Sequence, residues 1–345
     1  DWLKIDLILF DEAQLSDEHS VRGLYFDSIV RRALKHFSDA KFVFAHPFVE
    51  NPEAQMQKNG IEIIDTTSAY SNYELKNVGQ IFYTHDITAQ KFYHFGSDPK
   101  ILGTHKLEAA FDPIEAALKK GGSVLIYVPK THIYSKQIYR QFQKYISMCH
   151  PIDNQDALKM IADLKEYIGA STTDKFFYNS DMLEKLNCGI VIHHGSMPLT
   201  ARLLLEHFTQ QGFCRICFAT STLEQGINMP FDVVYLDRFE ESKTLSVKNL
   251  IGRAGRSTSK PVFDYGSVVL RPNAMSRFRN VYRKKNTLSS KSRLDMTDDK
   301  IDEKYEEYKE AINTGEFSDE YNLTNKDLEK LKSDSVTTVV PTLLD

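Results

Sequence analysis

The chain has 345 residues, room for two ordinary domains, and its 41% hydrophobic and 26% charged residues give the balance of a water-soluble globular protein. A net charge of −4 excludes a global basic field, so any nucleic-acid site must be a local patch. Four scattered cysteines exclude a disulfide framework, and with no 18-residue apolar run and no secretory leader the expectation is an intracellular, reducing setting without a membrane partner.

Residues 1–80 alternate strand and helix. Leu7–Phe10 reads as a buried strand. Residues 21–37 carry Val21, Leu24, Tyr25, Ile29, Ala33, Leu34 and Phe37 at helical spacing. Strands are expected at 42–45 and 61–64. This is βαβ grammar and implies a parallel sheet. The segment is short for a domain, so it reads as the C-terminal half of a first lobe, cut from something longer. Residues 81–104 are aromatic-rich and read as a hairpin or linker. A second α/β unit spans 105–275. Its strands are expected at 123–128, 189–195, 213–219, 233–237 and 266–270, and its helices at about 132–149, 156–169, 180–187, 198–211 and 246–252. Residues 276–345 form a mainly helical extension, basic and then acidic. Within it and just before it, 271–293 holds eight Lys and Arg and no acid. That stretch, with Phe278 and Tyr282 interleaved among Arg279 and Arg283, fits either a groove that tracks a single strand or a solvated helix face.

Three stretches carry chemistry. Asp11 and Glu12 end an apolar run, at the edge where open α/β sheets place ligands. In a nucleotide site the first carboxylate holds Mg²⁺ through its water shell and the second polarises the attacking water; alone, such a pair is more often just a strand end entering a solvated turn. In Leu250-Ile251-Gly252-Arg253-Ala254-Gly255-Arg256, two arginines share one side of a helical turn and two glycines leave the surface bare for a phosphate. In 218–228 a strand ends in Thr220-Ser221-Thr222, then closes on Gly226 and Asn228. Those hydroxyls suit phosphate-backbone contacts or a helix cap. Cys214-Arg215-Ile216-Cys217 is formally C-x-x-C, but it lies in a strand and has no second pair to complete a zinc site.

Together these motifs resemble a superfamily 2 nucleic-acid helicase of the DExH type, closest to the superkiller-like and archaeal repair-helicase group. The matches are Asp11-Glu12-Ala13-Gln14 (the Walker B box), Ile192-His193-His194-Gly195, Ala219-Thr220-Ser221-Thr222-Leu223 with Gly226-Ile227-Asn228, and Ile251-Gly252-Arg253-Ala254-Gly255-Arg256. Their order agrees with the family across roughly residues 1–270. The resemblance implies two RecA-like parallel-sheet lobes, the first incomplete, with ATP and Mg²⁺ as cofactors. It implies Asp11 at Mg²⁺, Glu12 at the hydrolytic water, Arg256 as the arginine finger, and Arg253 at the γ-phosphate or linked to the carboxylate box. Gly226, Asn228, Gln14 and Asn249 would serve the nucleotide. Thr220, Lys130, Thr131, His193 and His194 would meet the nucleic acid, the histidines as a backbone-contact or structural loop.

Three departures qualify this. No G-x-x-x-x-G-K-[ST] occurs, so the phosphate loop is expected upstream of residue 1, in a missing N-terminal part of the same protein. The family's Ser-Ala-Thr element is replaced by Ala45-His46-Pro47, with His46 as a substitute donor or the proline as a fixed turn. The Gln before the arginine box is Asn249. The expected function is an ATP-dependent translocase on single-stranded or partly duplex DNA or RNA. The alternatives are a nucleic-acid-stimulated ATPase that remodels complexes or signals to a protein partner, as in antiviral defence, and a non-hydrolysing binding fragment.

Overall fold

A computed structural model describes residues 4–47, 49–62, 64, 68–70, 79–100, 107–169, 181–220, 229–255, 265–296, 303–318, 320 and 323–331. The chain divides into two compact units, one of Asp1–Glu74 with Lys285–Asp345 and one of Leu75–Lys284.

In the first unit, β1 (Leu7–Phe10) and β2 (Lys41–Phe44) pair in parallel, Phe10 opposite Phe44, on either side of α1 (Val21–His36). Ser20 caps α1, accepting from the Gly23 amide at 3.2 Å. Phe10 stacks on Phe44 (centroids 5.3 Å apart) and meets Phe26 edge-on, which docks α1 on one face of the pair. Leu7 and Leu9 on the other face are 59% and 61% exposed, so β1 is half-covered rather than the buried strand its composition suggested. The segment expected as a third strand is not one among its described residues: after α2 (Ala54–Lys58) the Ile61 amide bonds back to the Met56 carbonyl at 3.0 Å. β-branched residues without a ladder partner do not make a strand.

The second unit is built on an eight-stranded sheet of β3 (Gly79–Asp86), β4 (Lys91–Phe95), β5 (Leu107–Glu108), β6 (Val124–Tyr127), β7 (Ile190–His193), β8 (Ile216–Ala219), β9 (Val233–Leu236) and β10 (Tyr265–Leu270). Their spatial order is β5-β4-β3-β10-β9-β6-β8-β7, parallel from β3 through β7, with β4 and β5 antiparallel at one edge. The segment 81–104 is therefore no linker. Its hairpin enters the sheet, because Tyr83 and Phe92 on one face and Phe82 and Phe95 on the other need cores to enter.

Alternation sorts the strands between two cores. Leu125, Val191, Cys217, Val234 and Val268 point to one face, under α4 (Gln155–Tyr167), α5 (Leu199–Gln210), α6 (Thr244–Ile251) and α7 (Met275–Arg283). Val124, Ile126, Ile190, Phe218, Tyr235 and Val269 point to the other. A parallel sheet buried on both faces produces these continuous apolar strands. Cys214 and Cys217 are core residues of this unit. The helix expected over 132–149 is three short turns (Lys130–Tyr134, Gln137–Gln141, Gln143–Ile146), interrupted where Lys136 takes φ 56°.

The chain returns to the first unit at Lys285, so the expected extension 276–345 is divided: α7 belongs to the second unit. In the first, Val49 pairs with Asn286, and α8 (Glu303–Thr314) covers the second face of α1 through Leu24, Leu294 and Ile312.

Candidate nucleotide and nucleic-acid sites

The acid pair sits where β1 stops. Asp11 is exposed and accepts from the Glu12 amide at 2.9 Å, while Glu12 is half-buried and takes φ 53°, ψ 38°. This left-handed conformation costs a non-glycine residue roughly 1–2 kcal/mol and persists only where neighbours fix it. The ladder fixes one side: Ala45 N donates to the Phe10 carbonyl and Ala13 N to the Ala45 carbonyl, each at 2.9 Å. The Gln14 amide nitrogen donates to the Glu12 carboxylate, with the Gln14 side chain buried and its Oε1 without a partner. Gln14 thus orients Glu12. Two exposed or half-exposed carboxylates suit Mg²⁺, which is held by one or two carboxylates plus phosphate oxygens and water. Among the described residues there is no group of three or more His, Cys, Asp or Glu that could hold a metal by itself.

His46, half-buried, lies 3.4 Å (Nε2) from Gln55 Oε1, which also accepts from Ser16 Oγ at 3.0 Å. Burial lowers the His46 pKa, so the ring is neutral near pH 7. Ala45 and His46 therefore adjoin the acid turn, one by backbone and the other through Gln55.

The arginine box closes α6 at the amino ends of the central strands. Phe231 N donates to the Arg253 carbonyl at 3.0 Å, Gly255 N to the Phe231 carbonyl at 2.7 Å, and Gln80 Nε2 to the Ile251 carbonyl at 2.7 Å. A Cβ at Gly266 would lie 2.3 Å from the Ala254 carbonyl carbon, so only glycine lets β10 pass this loop. Arg253, expected at the nucleotide, is 5% exposed; the pKa of His193 is lowered chiefly by burial, with the Arg253 charge a lesser cause. Asn249 is half-buried on α6. Arg256, Gly226 and Asn228 lie outside the described residues.

The carboxyl ends of the six parallel strands open on a cleft of about 1300 Å³. Lys130, Ser196, Gly195 and Thr220 line it, as do His85, Asp237 and Arg271. Its lining has five Lys and Arg (Lys130, Arg238, Lys243, Arg271, Arg277) against three acids (Asp86, Asp237, Glu240), a local basic surface on an acidic chain. Lys130 is exposed, donates to Ser196 Oγ at 2.5 Å and lies 5.5 Å over the Tyr134 ring; Thr131 beside it is exposed. His194 is half-buried, accepts from the Ser196 amide at 3.2 Å, and packs on Tyr134. Thr220 is mostly buried, its amide donating to the His193 carbonyl at 3.2 Å.

Of the expected nucleic-acid contacts, His193 takes the structural one of its two expected roles and Arg279 is corrected. His193 is fully buried and its Nε2 lies 3.1 Å from Glu206 Oε1 of α5, so it braces β7 against a helix. Arg279 is buried, its Nε donating to the Gly96 carbonyl at 3.0 Å with the guanidinium over Phe95. Phe278 is likewise a core residue and offers no stacking surface, whereas Arg283 is exposed.

The sequence reading missed Asp237, at the end of β9. This buried carboxylate accepts from Arg271 Nε at 2.8 Å and Gln141 Nε2 at 3.0 Å, and lies 3.3 Å from His132 Nδ1. It joins three elements under the cleft floor. Its only sequence signal is an acid one residue past an apolar strand, the pattern Asp11 also shows.

His85, also in the cleft wall, stacks on Phe92 and hydrogen-bonds the Tyr235 hydroxyl at 3.3 Å. Burial pushes its pKa down from 6.5 to about 4. The folded state prefers the neutral ring, so the contribution is complete above about pH 6.5 and is lost as pH falls toward 4, roughly 3 kcal/mol in all. In chemical denaturation across that range, His85→Phe should flatten the acid slope of stability by up to one proton; an unchanged slope would refute the assignment.

Residues 165–258 match the helicase conserved C-terminal domain. The chain is 26% identical over 164 residues to the ATP-dependent DNA helicase Hel308 of Caldivirga maquilingensis, covering 44% of this chain and 20% of that protein. It is 29% identical over 143 residues to the Hachiman protein HamB of Bacillus cereus (39% and 12%) and 29% over 129 residues to the human superkiller complex protein 2 (34% and 10%). The alignments thus take in a fifth or less of each of these relatives. With the acid turn, the cleft-forming strand ends and the arginine box in the matching order, the chain is similar to the superfamily 2 helicases of the superkiller and Hel308 type, and residues 165–258 carry their conserved C-terminal domain.

Proposed function

We propose that this chain is part of an ATP-dependent motor that moves along single-stranded nucleic acid. The observation that carries the reading is the basic cleft at the carboxyl ends of the parallel strands, with Lys130, Ser196 and Thr220 presented together. Bound ATP with Mg²⁺ supplies the phosphoanhydride and the charge that neutralises its leaving oxygens. Asp11 holds the water shell of the cation. Glu12, oriented by Gln14, accepts hydrogen from the attacking water. Arg253 and Arg256 are assigned to the box that answers the γ-phosphate, and Gly226, Asn228 and Asn249 to the nucleotide. Lys130, Thr131 and His194 grip phosphates, which position a strand without reading its sequence.

Binding of a single-stranded oligonucleotide across a salt series tests the cleft. Lys130→Ala should weaken all sequences about equally and reduce the salt slope by about 1. Undiminished binding with an unchanged slope would remove the cleft from the path. The second reading, an ATPase that remodels complexes or signals without unwinding, draws on the HamB similarity. It predicts strand-stimulated hydrolysis with no duplex separation in a parallel assay.

A further inference from the structure

The turn behind the acid pair ends on a buried cation. The 3₁₀ turn Ala13–Asp17 follows Glu12 directly, and Lys58 of α2 reaches it from below. The Lys58 side chain is wholly buried; its ammonium donates to Ser16 Oγ at 3.1 Å and to the Asp17 carboxylate. The other Asp17 oxygen accepts from the Ser289 amide at 2.6 Å. Asp27, a buried carboxylate of α1, accepts from Ser292 Oγ at 2.5 Å and from the Arg293 amide at 2.8 Å. Asp17 and Asp27 thus both grip the segment on which the chain returns from its second unit. Ser289 stands six positions after Arg283, the last residue of α7.

We propose that Lys58, Asp17 and the Ser289 amide form a clamp that positions Glu12, so that the returning segment 285–293 controls the acid turn. The inference rests on the reading of Glu12 as the group that orients the hydrolytic water. Glu12 holds a left-handed backbone between two anchors. The β1–β2 ladder supplies the first, through Ala13 and Ala45. The clamp supplies the second, since Ser16 and Asp17 lie in the turn that begins at Glu12. A wholly buried ammonium stripped of its carboxylate must be neutralised or rehydrated, and either shifts the turn. Lys58 and Asp17 are positioning residues and touch no substrate.

The test uses the full-length protein with Asp17→Asn, which keeps an acceptor for Ser289, Lys58→Met, which keeps the stem, and the double variant. Amide hydrogen exchange over residues 12–17 and 289–293 reads the clamp without nucleotide. Strand-stimulated ATP hydrolysis, per folded molecule, reads its consequence. Each single variant should speed exchange in both segments about tenfold and lower kcat about tenfold with KM for ATP unchanged. The double variant should recover part of both, because the buried charges leave together. Unchanged exchange at 12–17 would overturn the proposal, as would a lower melting temperature with normal kcat. Asp17→Asn reports alone if Lys58→Met does not fold. Glu12→Gln in parallel separates the two ideas: normal hydrolysis there would retire the reading of Glu12, while exchange still judges the clamp.

Discussion

Glu12→Gln is expected to lower strand-stimulated ATP hydrolysis by roughly 10²–10⁴-fold, the contribution of a positioned general base. Nucleotide and oligonucleotide binding should survive, because the amide fills the same volume and accepts the same Gln14 hydrogen bond. The backbone at Glu12 is left-handed in either case, so the change isolates the proton-accepting oxygen from the shape of the turn. Asp11 is exposed, and if it holds the cation as proposed, Asp11→Asn should instead raise the Mg²⁺ concentration needed for half-maximal rate. The measurement is steady-state hydrolysis with and without a saturating single strand. Full activity in Glu12→Gln would retire the acid pair as the hydrolytic group.

Asp237→Ala should produce the largest loss of stability. It removes the acceptor shared by Arg271 and Gln141 and leaves a guanidinium and His132 beside a cavity below the cleft. Breaking a buried pair on one side costs about 3–5 kcal/mol. For a unit of this size that lowers the melting temperature by roughly 6–20 °C. Asp237→Asn keeps an acceptor and should lose less. Calorimetry reads the first effect. Oligonucleotide binding at a temperature where both variants remain folded reads the second, because Arg271 lines the cleft only while Asp237 holds it. A melting temperature within two degrees of the parent would show that Asp237 carries no such load.

Much of the architecture follows from local pattern. The periods of 2 and 3.6 place α1, α4, α5 and the strands β6 to β10 within a few residues of their observed bounds. The exceptions have local physical causes. Residues 61–64 have strand composition but no ladder partner among the described ones, and the left-handed Lys136 divides one long apolar pattern into separate turns. The aromatic stretch 81–104 suits a hairpin or a linker; its described residues take the hairpin, at a sheet edge that nothing in them announces.

Sites divide along the same line. The order of the acid pair, the His-His-Gly loop, the Thr-Ser-Thr strand end and the arginine box is written in the chain and carries the resemblance to superfamily 2 helicases, while the alternation of strand and helix carries the α/β class. Which of those side chains meet solvent was decided by tertiary packing. His193 and His194 are adjacent, but one enters the α5 interface while the other faces Tyr134. Arg279 and Arg283 lie one helical turn apart on α7, but Gly96 and Phe95 cover only the first. Asp237 gathers partners from residues 132, 141 and 271, and Asp17 gathers them from 58 and 289. Sequence periodicity fixes which way a residue points from its own element. Burial and charge pairing depend on other elements, from about a dozen to more than two hundred positions away, and only the folded chain brings those together.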